Sequence, residues 1–187
     1  MKNNEYKLLF AGSMGAGKTS AIAALSEIPL VSTDVINSDL DRNNKATTTV
    51  ALDYGEVSLR GGDKLRLYGT PGQDRFDFMW GIVSKGAIGL ILLIDSRNHD
   101  AINEMMFYLD KFSDLMESMA LVVGVTQLDL SHTKSLVAYR KALAARGIMV
   151  PCLPIDARKR EHIFFLIESI LSQVEAKELV SLTKAAP

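Results

Sequence analysis

The sequence contains few of the features that mark secreted or membrane proteins. Cys152 is the only cysteine among 187 residues, so this chain cannot form an intramolecular disulfide or a cysteine-cluster metal site. The longest apolar run, residues 87–94, is too short to span a bilayer, and the first residues lack the apolar segment of a signal peptide. We therefore expect a cytoplasmic protein without an integral membrane segment.

Neither sign of charge predominates in the chain. The 21 Lys and Arg residues and the 22 Asp and Glu residues leave a formal net charge of -1. No overall basic field therefore indicates binding to nucleic acid or to an anionic membrane, and partners must be inferred from local features. A chain of this length is expected to form one domain, residues 1–187, with a substantial buried core.

Apolar, β-rich segments alternate with segments of helical periodicity along the chain. The predicted strands are residues 6–11, 50–59, 64–68, 88–94, 120–125 and 149–155, and the predicted helices are residues 18–26, 74–84, 101–116, 135–146 and 161–177. This alternation predicts an α/β fold of three layers, with a six-stranded, mostly parallel sheet and helices on both faces. The Gly-Gly turn within residues 59–64 leaves no room for a helix, so it predicts a hairpin and one antiparallel edge strand.

Two stretches lie outside these predicted elements. Residues 28–49 are polar, rich in Asn, Asp, Ser and Thr, and long for a connection, which predicts a functional or mobile loop. Residues 179–187 are predicted to form a flexible tail.

A glycine-rich motif follows the first predicted strand and opens the first predicted helix. The stretch GSMGAGKT, residues 12–19, fits the pattern GxxxxGK[ST], in which backbone amides and the helix N-terminus bind phosphate oxygens. Lys18 is expected to reach the β and γ phosphates of a nucleotide, and the Thr19 hydroxyl to ligate Mg²⁺. The predicted phosphate-binding residues are Gly12, Ser13, Met14, Gly15, Ala16, Gly17, Lys18, Thr19 and Ser20. Nucleotide binding follows, but this motif alone does not distinguish ATP from GTP.

A second motif, GTPGQ at residues 69–73, ends a predicted strand. In the pattern DxxGQ the aspartate directs Mg²⁺, the glycine amide contacts the γ-phosphate and the glutamine lies beside the attacking water. Gly72 and Gln73 fit this pattern, whereas Gly69 occupies the position of the aspartate. Loss of a carboxylate near a bound metal commonly costs about 10 to 100-fold in affinity or activity, so magnesium binding should be weakened but not abolished.

Two further motifs follow the last two predicted strands of the sheet. In TQLD, the carboxylate of Asp129 can accept hydrogen bonds from both N1–H and the exocyclic amine of guanine, a pair of donors that adenine does not offer. Thr126 and Gln127 replace the Asn and Lys of the pattern NKxD, which weakens the contact with N7 and the stacking on the base. In the later motif DAR, the amide of Ala157 is a candidate donor to guanine O6. The predicted base-binding residues are Thr126, Gln127, Asp129, Asp156, Ala157 and Arg158.

The order of these motifs resembles that of the Ras-like small GTPases, which are P-loop NTPases. The segments KATTTVALDYG, LYGTPGQDRFDFMW and GAIGLILLID are more closely similar to the bacterial and archaeal motility-and-polarity GTPases that pair with roadblock/LC7 proteins. The resemblance covers residues 6–177 and implies binding of GTP and GDP with Mg²⁺, slow hydrolysis and a GTP/GDP conformational switch. It also implies a dimeric roadblock/LC7 protein as effector or activator, with a GAP or an exchange factor as further candidate partners.

The resemblance also assigns roles to individual residues. Residues 28–49 and 69–86 correspond to the two switch regions, and Thr49 resembles the threonine that ligates Mg²⁺ in the GTP state. Thr48 is an alternative, since three consecutive threonines leave the register open by one residue. Gln73 resembles the water-positioning glutamine, and Gly72 the glycine whose amide senses the γ-phosphate. The implied catalytic residues are Lys18, Gly72 and Gln73, and the implied metal ligands are Thr19 and Thr49.

The aspartate that Gly69 replaces also tends to be absent from the related GTPases, and another acid could substitute for it. Asp34, Asp39 or Asp53 could approach the metal from the side of the first switch region. Asp95 follows a strand that is usually remote from Mg²⁺, and it is interpreted as a structural cap.

Help with hydrolysis could come from this chain or from a partner. Arg42 is a candidate for an arginine finger in cis and Lys45 a poorer one, while a solvated loop charge is the alternative for each. We therefore expect slow intrinsic turnover that a partner increases.

The helix predicted after Gln73 is apolar around most of its circumference. One face is marked by Phe76, Met79, Trp80 and Val83, and another by Phe78 and Ile82. Since a surface helix needs only one apolar stripe, the second face suggests a partner surface around Phe76, Phe78 and Trp80, with Trp80 as the anchor. The alternative is a helix that is buried against its neighbours.

Two other functions fit parts of the sequence. In an ATP-dependent P-loop kinase, Asp95 would be the metal carboxylate and residues 28–49 a substrate lid, but GTPGQ and TQLD would then have no explanation. The residues at positions 69, 126 and 127 instead allow a pseudo-GTPase that binds nucleotide only as a scaffold.

Overall fold

A computed structural model describes residues 4–36, 49–72, 78–116, 119–130 and 135–185. The strands are β1 (Glu5–Ala11), β2 (Val31–Ile36), β3 (Thr49–Ser58), β4 (Lys64–Gly69), β5 (Ala87–Asp95), β6 (Ala120–Thr126) and β7 (Cys152–Ile155). The helices are α1 (Lys18–Leu25), α2 (Phe78–Val83), α3 (Ala101–Lys111), α4 (Ser113–Met116), α5 (Leu136–Ala145) and α6 (Arg160–Ala185). Short 3-10 turns lie at Arg60–Gly62 and Leu128–Leu130.

The strands form one sheet in the order β2-β3-β4-β1-β5-β6-β7. β1 lies in parallel between β4 and β5, and β6 and β7 continue the parallel arrangement. β3 runs antiparallel to both of its neighbours, β2 and β4. The carboxyl ends of β1, β4, β5, β6 and β7 therefore lie along one edge of the sheet, where open α/β sheets bind ligands. The segments that follow β1, β4, β6 and β7 carry the four predicted motifs.

The core lies on both faces of the sheet because the central strands are apolar along their whole length. Successive side chains of a strand point to opposite faces, so Leu8 and Phe10 pack with α1 and α6, while Leu9 and Ala11 pack with α2, α3 and α5. Every residue of β6 is buried. Burial of each large apolar side chain contributes about 1.5–3 kcal/mol, and these strands therefore hold the motif-bearing loops on a rigid support.

The predicted α/β class, mostly parallel sheet and helices on both faces are confirmed, but the sheet has seven strands rather than six. The additional strand is β2, which lies within residues 28–49, the stretch predicted to be a loop. Its Ser, Thr and Asp residues resemble loop composition, yet four of its residues are β-branched and its backbone pairs with β3. β2 is therefore the edge strand, and the antiparallel strand β3, which was predicted to lie at the edge, is the second strand of the sheet.

Three helices differ in extent from the predicted helices. The pattern predicts one helix over residues 101–116, whereas α3 ends at Lys111 and α4 begins at Ser113. α6 continues to Ala185, through most of the stretch predicted to be a tail. α2 is described from Phe78 onward, and residues 73–77 lie outside the described ranges. Within those ranges, no helix is long and apolar enough to cross a membrane.

Candidate functional site

The segment of residues 12–19, which joins β1 to α1 and includes the first two residues of α1, turns sharply at Gly17. This residue has a left-handed φ of 103°, a conformation that favours glycine, and a Cβ atom on it would lie 2.8 Å from the Cβ atom of Ala157. The loop, named the phosphate loop from its predicted role, therefore packs closely against the segment that follows β7. This approach brings the first and the last of the four motifs into contact.

Lys18 is the first residue of α1, and its side chain is buried. Only 8% of the residue is exposed, and Nζ donates to the carbonyls of Gly12 and Ser13 at 2.7 Å each. Burial lowers the pKa of Lys18 to about 8, while the negative charges of Asp53 and Glu104 act in the opposite direction. A bound phosphate would add negative charge beside Nζ and so favour its protonated form.

The segment that follows β4 lies directly on the phosphate loop. The backbone amide of Met14 donates to the carbonyl of Gly72 at 3.2 Å. A Cβ atom on Gly72 would lie 2.6 Å from the Met14 nitrogen and 2.7 Å from Lys18 Nζ, distances that real Cβ atoms essentially never show. The contact therefore requires glycine at position 72, the position predicted to sense the γ-phosphate.

The hydroxyl of Thr19, a predicted magnesium ligand, is hydrogen-bonded to a carboxylate. Its Oγ1 atom donates to Oδ2 of Asp53 in β3 at 2.5 Å. Asp53 is paired across β3 and β4 with Gly69, the position at which the sequence lacks the expected acid. Of the acids considered as substitutes for an aspartate at position 69, Asp53 is thus joined to Thr19, whereas Asp39 lies outside the described residues.

These groups line one cavity, which we call the phosphate-side cavity. Its lining residues are Met14, Gly15, Gly17, Lys18, Thr19, Ser20, Asp53, Gly69, Thr70, Pro71 and Gly72. Thr70 is 2% exposed, and its Oγ1 atom has no hydrogen-bond partner in the described part of the chain. A buried hydroxyl without a partner costs free energy, so a ligand or its bound water is expected to satisfy Thr70.

A second cavity, the base-side cavity, shares Gly15, Gly17 and Ser20 with the first. Its lining residues are Gly15, Ala16, Gly17, Ser20, Thr126, Gln127, Asp129, Ile155, Asp156, Ala157 and Arg158. All of them except Ile155 are predicted phosphate- or base-binding residues. The fold thus assembles motifs that are far apart in the sequence around two contiguous cavities.

Thr126, at the end of β6, connects the phosphate loop to the sheet. The residue is 2% exposed, and its hydroxyl lies 3.2 Å from the carbonyls of both Ala16 and Ile94. A hydroxyl has one proton and donates to one of these carbonyls at a time. Since the hydroxyl is engaged by the backbone, a contact between Thr126 and a base stays a prediction.

Gln127 and Asp129 lie at the mouth of the base-side cavity. Gln127 has a left-handed φ of 56°, which is uncommon for a residue other than glycine and is typical of functional loops. It precedes the 3-10 turn Leu128–Leu130, which presents Asp129. The backbone strain at Gln127 is thus part of the turn that carries the predicted guanine-binding carboxylate.

The DAR segment is held by an ion pair. Arg158 lies 2.8 Å from Asp156, and the Arg158 amide donates to the same carboxylate at 3.0 Å. These hydrogen bonds hold the pKa of Asp156 well below its usual range, and Asp156 together with Asp129 raises the pKa of Arg158. Ala157 lies in the turn between Asp156 and Arg158, and its Cβ atom lies next to Gly17 of the phosphate loop.

The sequence interpretation did not name Thr70, Pro71 and Ile155, which line these cavities, or His162, which supports the DAR segment. Thr70 lies inside GTPGQ and could have been recognised from that position. Ile155 precedes DAR at the end of β7, and its position could have been inferred from the strand. His162 Nδ1 accepts a hydrogen bond from the Asp156 amide at 2.9 Å, an interaction that no sequence signal indicated.

The described part of the chain does not test several of the predicted residues. Gln73, Phe76, Thr48, Arg42 and Lys45 lie outside the described residues. Thr49 is the first residue of β3 and pairs with Ile36 of β2, so its role as a magnesium ligand stays a prediction.

Asp95 is occupied by a local ion pair at the end of β5. Arg97 lies 2.6 Å from its carboxylate and also donates its backbone amide to it at 2.9 Å. Asp95 belongs to the lining of neither cavity. These contacts agree with its interpretation as a structural cap.

The prediction of Trp80 as an exposed partner anchor is wrong. Trp80 is 3% exposed, and its ring stacks on Tyr108 and Phe112 at centroid distances of 5.1 and 5.0 Å. Large aromatic side chains gain most from such burial, so α2 directs this face toward α3. Ile82, on the other face of α2, is 52% exposed.

The chain is similar to proteins that have already been described. Over residues 29–183 it matches the family described as "Conserved hypothetical ATP binding protein", a match that begins after the phosphate loop. An uncharacterised protein of Methanocaldococcus jannaschii is 30% identical over 99 residues, which make up 51% of this chain and 54% of that protein. The chain therefore spans about half the length of that relative.

Similarity to Ras-related proteins extends over more of the chain at lower identity. Rab-13 of Mesocricetus auratus is 26% identical over 160 residues, covering 84% of this chain and 66% of that protein. RABA1h of Arabidopsis thaliana is 19% identical over 176 residues, covering 92% of this chain and 69% of that protein.

Proposed function

Because the chain belongs to the family described as "conserved hypothetical ATP binding protein", we propose that it binds a nucleotide across the two cavities and acts as a small GTP-binding switch. The similarity to Ras-related proteins and the order of the four motifs support this class. The guanine preference, the slow hydrolysis and the regulation by a partner extend the proposal beyond the family description.

The observation that carries the guanine preference is the position of Asp129. Its carboxylate lines the same cavity as Ala157 and the phosphate-loop residues Ala16 and Gly17. A base held there by its phosphates would meet a carboxylate at one edge and the Ala157 backbone at another. Guanine offers the carboxylate two donors, whereas adenine offers it neither of them.

The phosphate-side cavity fits a nucleotide phosphate with a divalent cation. Lys18 supplies a positive charge that is shielded from water, Thr19 supplies a hydroxyl oxygen, and Thr70 has a buried hydroxyl that needs a partner. Mg²⁺, when bound, would neutralise charge on the β and γ phosphates. In this proposal Thr19 and Thr49 hold the metal, Lys18 binds the phosphates, and Gln73 positions the attacking water.

Gly72 supports the assignment of a switch. Its carbonyl accepts from the Met14 amide, and no space remains between it and Lys18 for even one additional carbon atom. A terminal phosphate bound beside Lys18 would compete for that space and displace Gly72. The segment after β4 would therefore adopt different positions with GDP and with GTP, which is the property that a switch requires.

The description of the family names ATP, so an adenine nucleotide is the second candidate. The sequence alternative that would use it is an ATP-dependent P-loop kinase. That reading requires Asp95 as the metal carboxylate. The carboxylate is instead engaged by Arg97, and Asp95 belongs to the lining of neither cavity. For this reason we place ATP behind GTP.

Equilibrium titration of GDP, GTP and ATP, with and without Mg²⁺, tests the nucleotide preference. We expect guanine nucleotides to bind at least about 100-fold more tightly than ATP, since a charged acceptor loses its partners with adenine. Asp129→Asn should lose this preference and gain affinity for xanthine nucleotides, whose carbonyl matches the amide. The control Asp95→Asn should behave as the wild type. Equal affinities for ATP and GTP would refute the proposal.

We extend the proposal to regulation by a dimeric roadblock/LC7 protein, which the resemblance of the switch segments supports. Single-turnover hydrolysis of GTP by the isolated protein should be slow and should increase when such a partner, or another activating protein, is added. Fast turnover by the isolated chain would contradict this extension. Tight GTP binding without turnover under any partner would favour the scaffold alternative.

A further inference from the structure

The first turn of α6 supports the DAR segment through a histidine. We propose that His162 is a positioning residue for the guanine base: its neutral ring holds the DAR segment in place, and protonation of the ring releases that segment and weakens the binding of guanine nucleotides. The inference rests on the proposed function, since Ala157 of this segment is a predicted donor to guanine O6. It adds a residue that lies outside all four motifs and outside the lining of both cavities.

The end of β7 leaves a backbone amide beyond the ladder of the sheet. The parallel pairing of β6 with β7 ends at Thr126 and Ile155, so the next amide, that of Asp156, needs an acceptor elsewhere. It donates to Nδ1 of His162 at 2.9 Å. A side chain of α6 thus takes the place of a strand partner for the residue that opens the DAR segment.

Asp156 is the residue through which the rest of the DAR segment is held. Its carboxylate accepts from the Arg158 amide at 3.0 Å, and its carbonyl accepts from the Lys159 amide at 3.0 Å. Ala157, which follows Asp156, is 7% exposed, and its Cβ atom lies 2.8 Å from the position of a Cβ atom built on Gly17. A movement of Asp156 would therefore displace the Ala157 amide and loosen its packing against the phosphate loop.

The hydrogen bond to Asp156 requires a neutral imidazole. In a neutral ring one nitrogen carries the proton and the other accepts, so acceptance at Nδ1 places the proton of His162 on Nε2. A second proton would turn Nδ1 into a donor that faces the amide donor, and the two groups would separate. The His162 ring is half-buried, so a proton can reach it from the solvent. Protonation therefore breaks the contact that fixes Asp156.

The elements packed against α6 bring few charged groups toward His162. Those elements are α1, β5, β6 and β7; the two last strands carry no charged residue, α1 carries only Lys18, and β5 carries only Asp95. Lys18 is bonded to backbone carbonyls of the phosphate loop, and Asp95 is engaged by an arginine of its own turn. Arg158 holds the pKa of Asp156 well below its usual range, so this carboxylate stays ionised while a histidine titrates. The remaining charged groups are Arg158 and Lys159 before α6, Arg160 and Glu161 at its start, and Asp129 and Glu27, which interact with Arg158 and Arg160.

The experiment measures the affinity of the full chain for a fluorescent GDP analogue, at saturating Mg²⁺, from about pH 5.5 to about pH 7.5, within the range in which histidine side chains commonly change charge. His162→Asn is the main variant, because the amide oxygen of asparagine can accept from the Asp156 amide and does not titrate. At about pH 7.5 the two proteins should bind equally. At about pH 5.5 the wild type should bind about 3 to 10-fold more weakly than His162→Asn, which corresponds to one hydrogen bond. Titration of the nucleotide and of Lys18, whose pKa is lowered to about 8, affects both proteins and cancels in this ratio.

Two further variants and a second measurement complete the design. His162→Ala removes the acceptor at every pH, so it should bind the analogue about 3 to 10-fold more weakly than His162→Asn across the whole range. His99→Asn replaces an exposed histidine after β5 and should show the same pH dependence as the wild type. The NMR chemical shift of the Asp156 amide, recorded without nucleotide, gives a readout independent of binding. It should change as His162 is protonated in the wild type and stay constant in His162→Asn.

The outcomes separate the inference from the proposed function. A ratio of about threefold or more at the low end of the pH range, near one at the high end, supports the inference, and a smaller ratio between two proteins that both bind the analogue overturns it. A His162→Asn protein that binds as weakly as His162→Ala throughout also overturns it, as does an Asp156 amide whose shift ignores the protonation of His162. If the wild type binds no GDP analogue at any pH, the proposed function itself fails, and the inference fails with it.

Discussion

The hydroxyl of Thr126 lies 3.2 Å from the carbonyl of Ala16, and this contact ties the end of β6 to the phosphate loop. Its second neighbour, the carbonyl of Ile94, belongs to β5. One buried side chain thus connects the base-side cavity, the phosphate loop and the centre of the sheet. At the position where the pattern NKxD has asparagine, Thr126 therefore holds the phosphate loop to the sheet through its hydroxyl.

Thr126→Val tests this connection. Valine has nearly the same shape but cannot donate to the carbonyl of Ala16 or of Ile94, so we expect the loss of one hydrogen bond, about 0.5–1.5 kcal/mol in the free energy of unfolding. GDP affinity should fall as well, because the phosphate loop loses an anchor. Thr183→Val is the control, since the Thr183 hydroxyl is exposed and bonds only within α6. Urea denaturation should show little change in the control, and equal losses in both variants would contradict the role of Thr126.

Gly72→Ala should disturb the phosphate loop. The added Cβ atom would meet the Met14 nitrogen and Lys18 Nζ, so Gly72 must move away or the loop must shift. Overpacking of this kind costs about 1–3 kcal/mol, which corresponds to about tenfold or more in GDP affinity if the loop shifts. Calorimetric titration measures the affinity. Gly81→Ala is the matched control, because beyond its chain neighbours and its own helix backbone no atom of the described residues lies within 4 Å of the added Cβ atom. GDP binding by that variant should equal that of the wild type.

Trp80 is the single tryptophan of the chain, so its fluorescence reports its burial directly. We expect an emission spectrum typical of an apolar environment, with little quenching by iodide until the protein is unfolded. Trp80→Ala should cost about 3–5 kcal/mol in stability, as large cavities in a core do. Ile82→Ala, on the exposed face of α2, should cost only about 0.5 kcal/mol. Strong quenching in the native protein would restore Trp80 as a surface residue.

Cys152 should be almost unreactive in the folded protein. Burial raises the pKa of its thiol to about 11, against an ordinary value of 9.0, and the residue is 4% exposed. Near about pH 8 the two-unit difference alone reduces the reactive thiolate by about 100-fold relative to the unfolded chain. Because the unfolded thiol loses its proton first, stability should also decrease as the pH rises above about 9. Labelling with a chromogenic disulfide in native buffer checks this, and rapid labelling would contradict it.

Much of the site could be predicted because its motifs are contiguous in the sequence. The phosphate loop needs glycines followed by a lysine and a helix, and these features are local. TQLD and DAR could be assigned to the same edge because parallel strands end together. Residues of the first switch region, such as Thr49, could be aligned only by resemblance, and their roles stay predictions.

Local composition was misleading where pairing partners decided the conformation. Residues 31–36 have the Ser, Thr and Asp content of a loop, and only the ladder with β3 makes them a strand. Trp80 could occupy either face of an amphipathic helix until α3 supplied Tyr108 as a stacking partner. In both cases the free energy comes from contacts with segments that are distant in the sequence, which no local pattern reports.

The glycine at position 69 shows where the limit lies. The sequence established that a phosphate loop is present, that a carboxylate is missing, and that several acids are available nearby. The choice among those acids depended on the register between β3 and β4, since a slip of one residue would turn Asp53 to the opposite face of the sheet. That register is set by long-range packing, and it brings Asp53 to Thr19 across 34 positions of the chain.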